Sequence, residues 1–521
     1  MKSISVDRFL HVSSRYRRRQ LSVYYRKFLR KNSLFDSMKL RLPTKLLAAV
    51  VAACSVCSSF AITIIDAGEN TTISAETTGM YPILVINGGI LTLNNVELLN
   101  IQNNSRISLG GNGSKLVTSG STSIMPSLSS TGSNTIQNGN TDASDLLIDT
   151  LTVTTNIDDQ GDPKATPLTI KNMTESRTVV RFLWAQDGAI NIAAPERAGI
   201  WSETVLGTTG TIQNSSADLI VTSVGGATGS NPHSAKMNRL VLGGVGDYTD
   251  NQDGTFYENF AIRSMTLDGD GSEVILARDV VDIGNNLPMG ITTVTGSLSG
   301  GGVIAAQGKQ RLNLSGMEST TYSGVLSDNK RKIANNRITF EDNPDNVLSV
   351  SVYEADVTLV NAPRYTGFTM VSHQSKLAFE AGEVTLRDIQ VSDTSSLSFD
   401  GKLNLAGNLW MEGQGRLTTG GDMVLKGDAN SEEGYGNTIG ASSSTPDDVR
   451  IQIGGALVGS LDETYYIDGS TASDGVNYVL TAAKGFSGLK DSSFAVLAEP
   501  ETLQKADFWV DLSDTGLILN K

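Results

Sequence analysis

From Ile62 to about Ser119 short apolar runs alternate with polar turns. Ile83-Leu84-Val85-Ile86 leads through Asn87-Gly88-Gly89 into Ile90-Leu91-Thr92-Leu93, and further runs follow at 96–101 and 106–109. Apolar residues at every second position, punctuated by Asn-Gly, predict short strands with no competing helical period. Between residues 376 and 425 the pattern becomes a repeat. Leu377, Leu397 and Leu417 stand 20 residues apart, with Phe379 and Phe399 two places after the first two. Ile389 and Val391 return 20 residues later as Leu409 and Met411, Leu403 and Leu405 return as Met423 and Leu425, and Val384 and Leu386 precede Leu403 and Leu405 by 19. Each unit of about 20 residues thus supplies three short strands, every one placing two apolar side chains on the same face. Such a unit cannot bury its inward face alone and must stack on copies of itself. Leucine-rich repeats share the period, but their consensus is missing and no segment offers a helix. The expected fold is all-β, a right-handed parallel β-helix (β-solenoid) with a C-terminal β cap.

Along the chain this reading places solenoid rungs at 62–119, a Ser/Thr/Gly/Asn-rich loop or linker at 120–143, a longer solenoid with loop insertions at 144–460, and the β cap at 461–521. The insertions expected to break the period are Gly246 to Asn259, Asp328 to Asn346 and Lys426 to Asp448. Loops leaving a solenoid usually carry its binding functions.

The start of the chain is different. Residues 1–37 hold ten Lys or Arg against Asp7 and Asp36, and read as a basic leader or a mis-started extension. Residues 38–61 read as a signal peptide: Met38 to Lys45 is a basic n-region, Leu46 to Ala53 an apolar h-region, and Ser59-Phe60-Ala61 a cleavage site after Ala61. The apolar run is too short for a membrane span. Val51-Ala52-Ala53-Cys54 offers the alternative of lipidation at Cys54, although the residues after it stay apolar where a lipoprotein has a polar tether. Both cysteines, Cys54 and Cys57, lie here, so cleavage after Ala61 leaves a body without thiols or disulfides. The start codon, Met1 or Met38, is open.

Composition agrees with a folded, turn-rich chain: Gly 53, only 12 Pro, 6% aromatic and 39% hydrophobic residues. The whole-chain net charge of −14 includes the basic leader, so the body is more acidic still. An acidic body repels phosphates and anionic membranes, which excludes a nucleic-acid partner.

Two stretches resemble the passenger regions of autotransporter-type surface proteins of Gram-negative bacteria. Gly296-Ser297-Leu298-Ser299-Gly300-Gly301-Gly302-Val303-Ile304, then Leu312-Asn313-Leu314-Ser315-Gly316 and Tyr322-Ser323-Gly324, is similar to the autotransporter-associated β-strand repeat. Asn477 to Gly488, followed by Phe508 to Leu512 and Thr515 to Leu519, resembles the closing segment after the last passenger rungs. The resemblance implies a β-helix at or beyond the outer membrane, in adhesion, coating or matrix roles. It also implies partners such as host or matrix glycans or surface proteins. The departure from the family is that Lys521 follows the cap directly, with no translocator barrel of alternating strands. Attachment through partners, release, and periplasmic residence are therefore all open.

The catalytic alternative is a carbohydrate-active or carbohydrate-binding β-helix, lyase or glycoside hydrolase-like, which needs facing carboxylates or Ca²⁺ ligands. Asp247, Asp250 and Asp253, with Asp268 and Asp270, are the candidate Ca²⁺ ligands, and Ca²⁺ is the one cofactor with any candidate. Their spacing departs from an EF-hand loop, and Asp-Gly runs are ordinary turn chemistry. His233 and His373 stand alone, which leaves little material for a zinc site or a Ser-His-Asp triad. Trp184, Trp201, Trp410 and Trp509 are candidate sugar-stacking residues. Trp410, between the inward Leu409 and Met411, is aimed outward and is the expected ligand-binding residue, while Trp509 is expected to close the cap. No catalytic residue is assigned, and an exported structural or adhesin-like role is the expectation.

Overall fold

A computed structural model describes residues 63–74, 82–98, 106–141, 144–154, 156–157, 163–164, 167–207, 216–243, 260–277, 290–426, 438–440, 449–469, 472, 474–497 and 508–520. All belong to one compact unit, Ile62–Lys521. The leader, the signal peptide, Cys54 and Ala61 lie outside the described residues. Among the described residues no helix is long and apolar enough to cross a membrane.

The unit is a right-handed parallel β-helix. Each rung contributes up to three short strands, and each strand pairs in parallel with its counterpart in the next rung, which builds three faces. A right-handed crossover is the hand that twisted parallel strands favour. The first face begins with Asn70–Ser74 on Ile90–Asn94 and ends with Tyr465–Asp468 on Phe494–Leu497. The second begins with Thr320–Tyr322 on Asp356–Leu359 and runs to Ile451–Ile453 on Val476–Ala482. The third begins with Thr63–Ile65 on Ile83–Ile86 and runs to Val303–Gln307 on Val325–Ser327, and in later rungs it consists of Glu383–Leu386 on Lys402–Leu405 through Leu457–Val458 on Phe486–Ser487.

The repeat read from the sequence is the register of these ladders. Leu377 pairs with Leu397 and Leu397 with Leu417. Ile389 pairs with Leu409 and Val391 with Met411. Val384, Leu403 and Met423 fall in one column, and Leu386, Leu405 and Leu425 in the next. All of these side chains are buried in a single core running from Ile65 to Leu519. Phe379 stacks on Phe399 with ring centroids 5.1 Å apart, as in-register packing of identical side chains requires.

The stretch 120–143, expected to be a linker, instead supplies the strands Ser123–Thr131 and Thr135–Asn140. Its polar residues are used inside the solenoid, at a corner where strands end and carbonyls need donors. The buried Asn134 Nδ2 donates to Leu109 O at 3.1 Å, and the buried Asn138 Nδ2 donates to Arg177 O at 3.0 Å and to Asn172 Oδ1 at 3.3 Å. Asn172 Nδ2 passes the pattern on to Glu203 O at 3.0 Å. A buried polar ladder of this kind is stable because every step satisfies the next.

The cap is shorter than expected. Rung strands continue through Phe494–Leu497, so among the described residues the capping strands are Trp509–Leu512 and Gly516–Asn520. Gly516–Asn520 pairs antiparallel with Val476–Ala482, which ends the parallel ladder and places Leu517 and Leu519 over the core. Phe508 is buried at this end, whereas Trp509, expected to close the cap, is 61% exposed on the outer strand. Strand alternation decides this: only one of two adjacent residues can face inward.

The insertion Asp328 to Asn346 folds as a strap. Its hairpin, Arg331–Ala334 paired with Arg337–Phe340, lies back on the third face. Ile338 packs with Ala235 and Met237, and Phe340 packs against Ile275, Ala277, Val303 and Ala305. Most of the other two insertions lies outside the described residues.

Candidate functional site

Trp410 sits on the first face, at the centre of the regular repeat. Leu409 and Met411 point into the core, so alternation turns the indole outward, where it is half-buried. The outward column through it is Met370, Gln390 and Trp410, one residue per rung, in direct register, and Ser351, next in the column, is buried. Phe368, also outward, brings its ring centroid to 5.9 Å from that of Trp410, tilted by 47°. Toward the corner with the second face, Tyr353 (38% exposed) packs on His373 with centroids 4.2 Å apart. Two aromatic pairs therefore occupy one face of four consecutive rungs.

The corner beside them is an open groove of about 690 Å³ lined by residues at positions 354, 373–374, 393–394 and 413–414. It exists because the same tight turn is stacked from rung to rung. Glu354, His373, Gln374, Asp393 and Gly413 all have φ between 48° and 62°, the left-handed conformation. Asp393 stabilises the turn above it: its Oδ2 accepts the His373 backbone N–H at 3.0 Å and lies 3.5 Å from His373 Nδ1. Inside the same corner Ser395 Oγ accepts from Ser375 N at 3.2 Å, and Ser375 Oγ from Ala355 N at 3.3 Å. The groove is lined by amide, hydroxyl, imidazole and carboxylate groups suited to hydrogen bonding.

The other expected residues are scattered. Trp184 is exposed on the third face, away from Trp410, paired in register with Thr152. Trp201 is enclosed by cations, with Arg239 Cζ 4.6 Å and Arg331 Cζ 5.0 Å from its ring centroid. It is a packing residue. His233 lies in the short 3-10 turn Pro232–Ser234, capped by the Asn231 side chain. Asp247, Asp250 and Asp253 lie outside the described residues. Asp268 and Asp270 are exposed at a turn and serve through backbone carbonyls, with Asp268 O accepting from Ser272 Oγ at 2.8 Å and Asp270 O from Arg331 Nη1 at 2.6 Å. Among the described residues no three His, Cys, Asp or Glu side chains are grouped so as to hold a metal ion.

One constellation was not legible in the sequence. Along the third face Asp145, Arg177, Glu203, Arg239 and Glu273 occupy neighbouring positions in successive rungs, with alternating charge. Arg177 reaches Asp145 at 2.6 Å and Glu203 at 3.2 Å; Arg239 reaches Glu203 at 3.9 Å and Glu273 at 2.7 Å. The hydrogen bond to Asp145, reinforced by Glu203, raises the Arg177 guanidinium above its ordinary range. The strap completes the series. Arg331, 2% exposed, donates its backbone N–H to Glu273 Oε1 at 2.7 Å, and its guanidinium donates to the carbonyls of Asp270 and Ser272. Glu273 is fully buried and the cations that neutralise it come from two different elements. The arrangement staples rungs to strap and holds no open site.

Comparison of the chain with protein-family models, with curated proteins and with solved structures returns no match.

Proposed function

We propose that the protein is an exported structural and interaction protein, adhesin-like in character, whose β-helix presents a fixed outer surface at the cell surface or beyond it. The observation that carries this reading is the use made of the charged groups. The fully buried carboxylate, Glu273, is paired to Arg239 and Arg331 and joins the strap to the rungs. Two carboxylates of the first face, Asp388 and Asp393, accept backbone N–H groups from Asn408 at 3.0 Å and His373 at 3.0 Å. Groups committed to holding turns are poor general acids or bases, since catalysis needs a carboxyl within reach of substrate and free to exchange its proton. The passenger-like stretches support export. Tyr322 of the Gly-rich repeat is buried and its hydroxyl donates to Gly302 O at 2.9 Å, a structural use of that motif.

The test is to incubate the purified full chain with neutral and acidic polysaccharides and to follow both retention and chain length. Retention without depolymerisation is the expected result. Release of shortened chains, dependent on the protein, would overturn the reading in favour of a lyase or glycoside hydrolase.

A further inference from the structure

We infer that the first face between residues 351 and 414 is a binding site for an extended, uncharged glycan, laid along the solenoid axis with its sugars on Trp410 and Phe368 and its hydroxyls in the corner groove. The inference rests on the interaction reading above and names the ligand class for it.

Three features of the surface converge on that chemistry. The first is aromatic geometry. A sugar ring has one face of axial C–H bonds, and such a face packs on an aromatic ring; Phe368 and Trp410, 5.9 Å apart and tilted by 47°, form a shallow aromatic platform on a rigid strand ladder. Tyr353, packed on the groove-lining His373, adds a second aromatic pair beside the groove. Side chains held on regular strands are already placed, so little ordering entropy is lost on binding.

The second feature is repeat spacing. Rungs rise by about 4.8 Å, close to the length of one sugar in an extended chain. Met370, Gln390 and Trp410 stand in one column, one per rung. A polymer running parallel to the axis therefore meets an equivalent position at each sugar, whereas one lying across the rungs does not.

The third is charge. The ionisable groups lining the groove are Glu354, Asp393 and His373. The cations on neighbouring faces are engaged: Lys376 lies 3.6 Å from Asp356, and Arg387 lies 3.6 Å from Asp388. A uronate or sulfated chain would meet the carboxylates of Glu354 and Asp393, and like charges across an interface are strongly disfavoured. Hydroxyl and acetamido groups, by contrast, can donate to Glu354 and Asp393 and exchange hydrogen bonds with Gln374 and Gln414. An uncharged hexose or N-acetylhexosamine polymer fits the surface, and an acidic one does not.

The experiment is titration calorimetry of the full chain with three hexasaccharides: a β-1,4-glucan, a β-1,4-linked N-acetylglucosamine oligomer and an oligogalacturonate. At least one of the two neutral oligomers binds, the galacturonate binds at least tenfold more weakly, and Trp410→Ala or Phe368→Ala weakens the neutral binding at least tenfold. Trp509→Ala, an exposed position on the capping hairpin, leaves it unchanged, and circular dichroism confirms that each variant is folded. Absence of neutral binding, a preference for the galacturonate, or binding indifferent to both first-face substitutions would each overturn the inference. Failure here is separable from failure of the interaction reading, because the depolymerisation assay scores that reading independently.

Discussion

Glu273 shows what one residue contributes when a solenoid lays charge against charge. It is removed from water, accepts from Arg239 Nε at 2.8 Å and from the Arg331 backbone N–H at 2.7 Å, and is the point where rung and strap meet. Removing one member of a buried ion cluster leaves the others desolvated and unpaired, so Glu273→Ala should cost about 3–5 kcal/mol, read from chemical denaturation. Gly300 is a steric counterpart. Its φ of +100° and a Cβ position 2.0 Å from the Leu267 carbonyl oxygen exclude any side chain, and Gly300→Ala should cost about 1–3 kcal/mol or more. Asp218 provides the pH response. Burial pushes its carboxyl up, but hydrogen bonds from Arg263 and Ser264 outweigh burial and hold it below the ordinary range. A carboxyl lowered on folding adds stability above its unfolded value of about 4 and loses it as the pH falls further. The wild-type protein should therefore lose stability below about pH 4, with a shallower loss in Asp218→Asn, measured by denaturant titration at each pH. None of the charge series was legible in the sequence. Its members are separated by 32, 26 and 34 residues where the spacing is recorded by their hydrogen bonds, so no period marks them.

Elements of constant length were legible, and those of variable length were not. Where every rung takes about 20 residues, the strands Lys376–Phe379, Ser396–Phe399 and Arg416–Thr419 announce their register through matching apolar positions. Leu397→Ala in the middle of that column should leave a cavity and cost about 2–5 kcal/mol, with the same denaturation readout and no change in strand content. Residues 120–143 misled because polar composition usually means solvent. In a β-helix the corner carbonyls of successive rungs accept from Asn134, Asn138 and Asn172, and polar residues become core. The strap was expected as a loop insertion, but its contacts with Trp201, Arg239 and Glu273 join residues about 60 to 130 positions apart, beyond any local pattern. Trp410 was placed outward from its two inward neighbours alone; its partner Phe368 and the groove beside it come from adjacent rungs and needed the register.

At the scale of the whole molecule, the unit Ile62–Lys521 is one stack with one core, ended by antiparallel pairing at Gly516–Asn520. The antiparallel hairpin covers the end of the parallel ladder and leaves the short strand Trp509–Leu512 as the edge, so truncation after Leu497 should expose Leu480 and Ala482 and promote association, detectable as a rise in particle mass by light scattering. The central claim is that this stack works outside the cytoplasm as an interaction surface. Its most direct test is fractionation of the native cells with mass spectrometry of the mature N-terminus. The account predicts a chain beginning at Ile62 in an outer-membrane or released fraction, and an intact chain beginning at Met1 in the cytoplasm would contradict it.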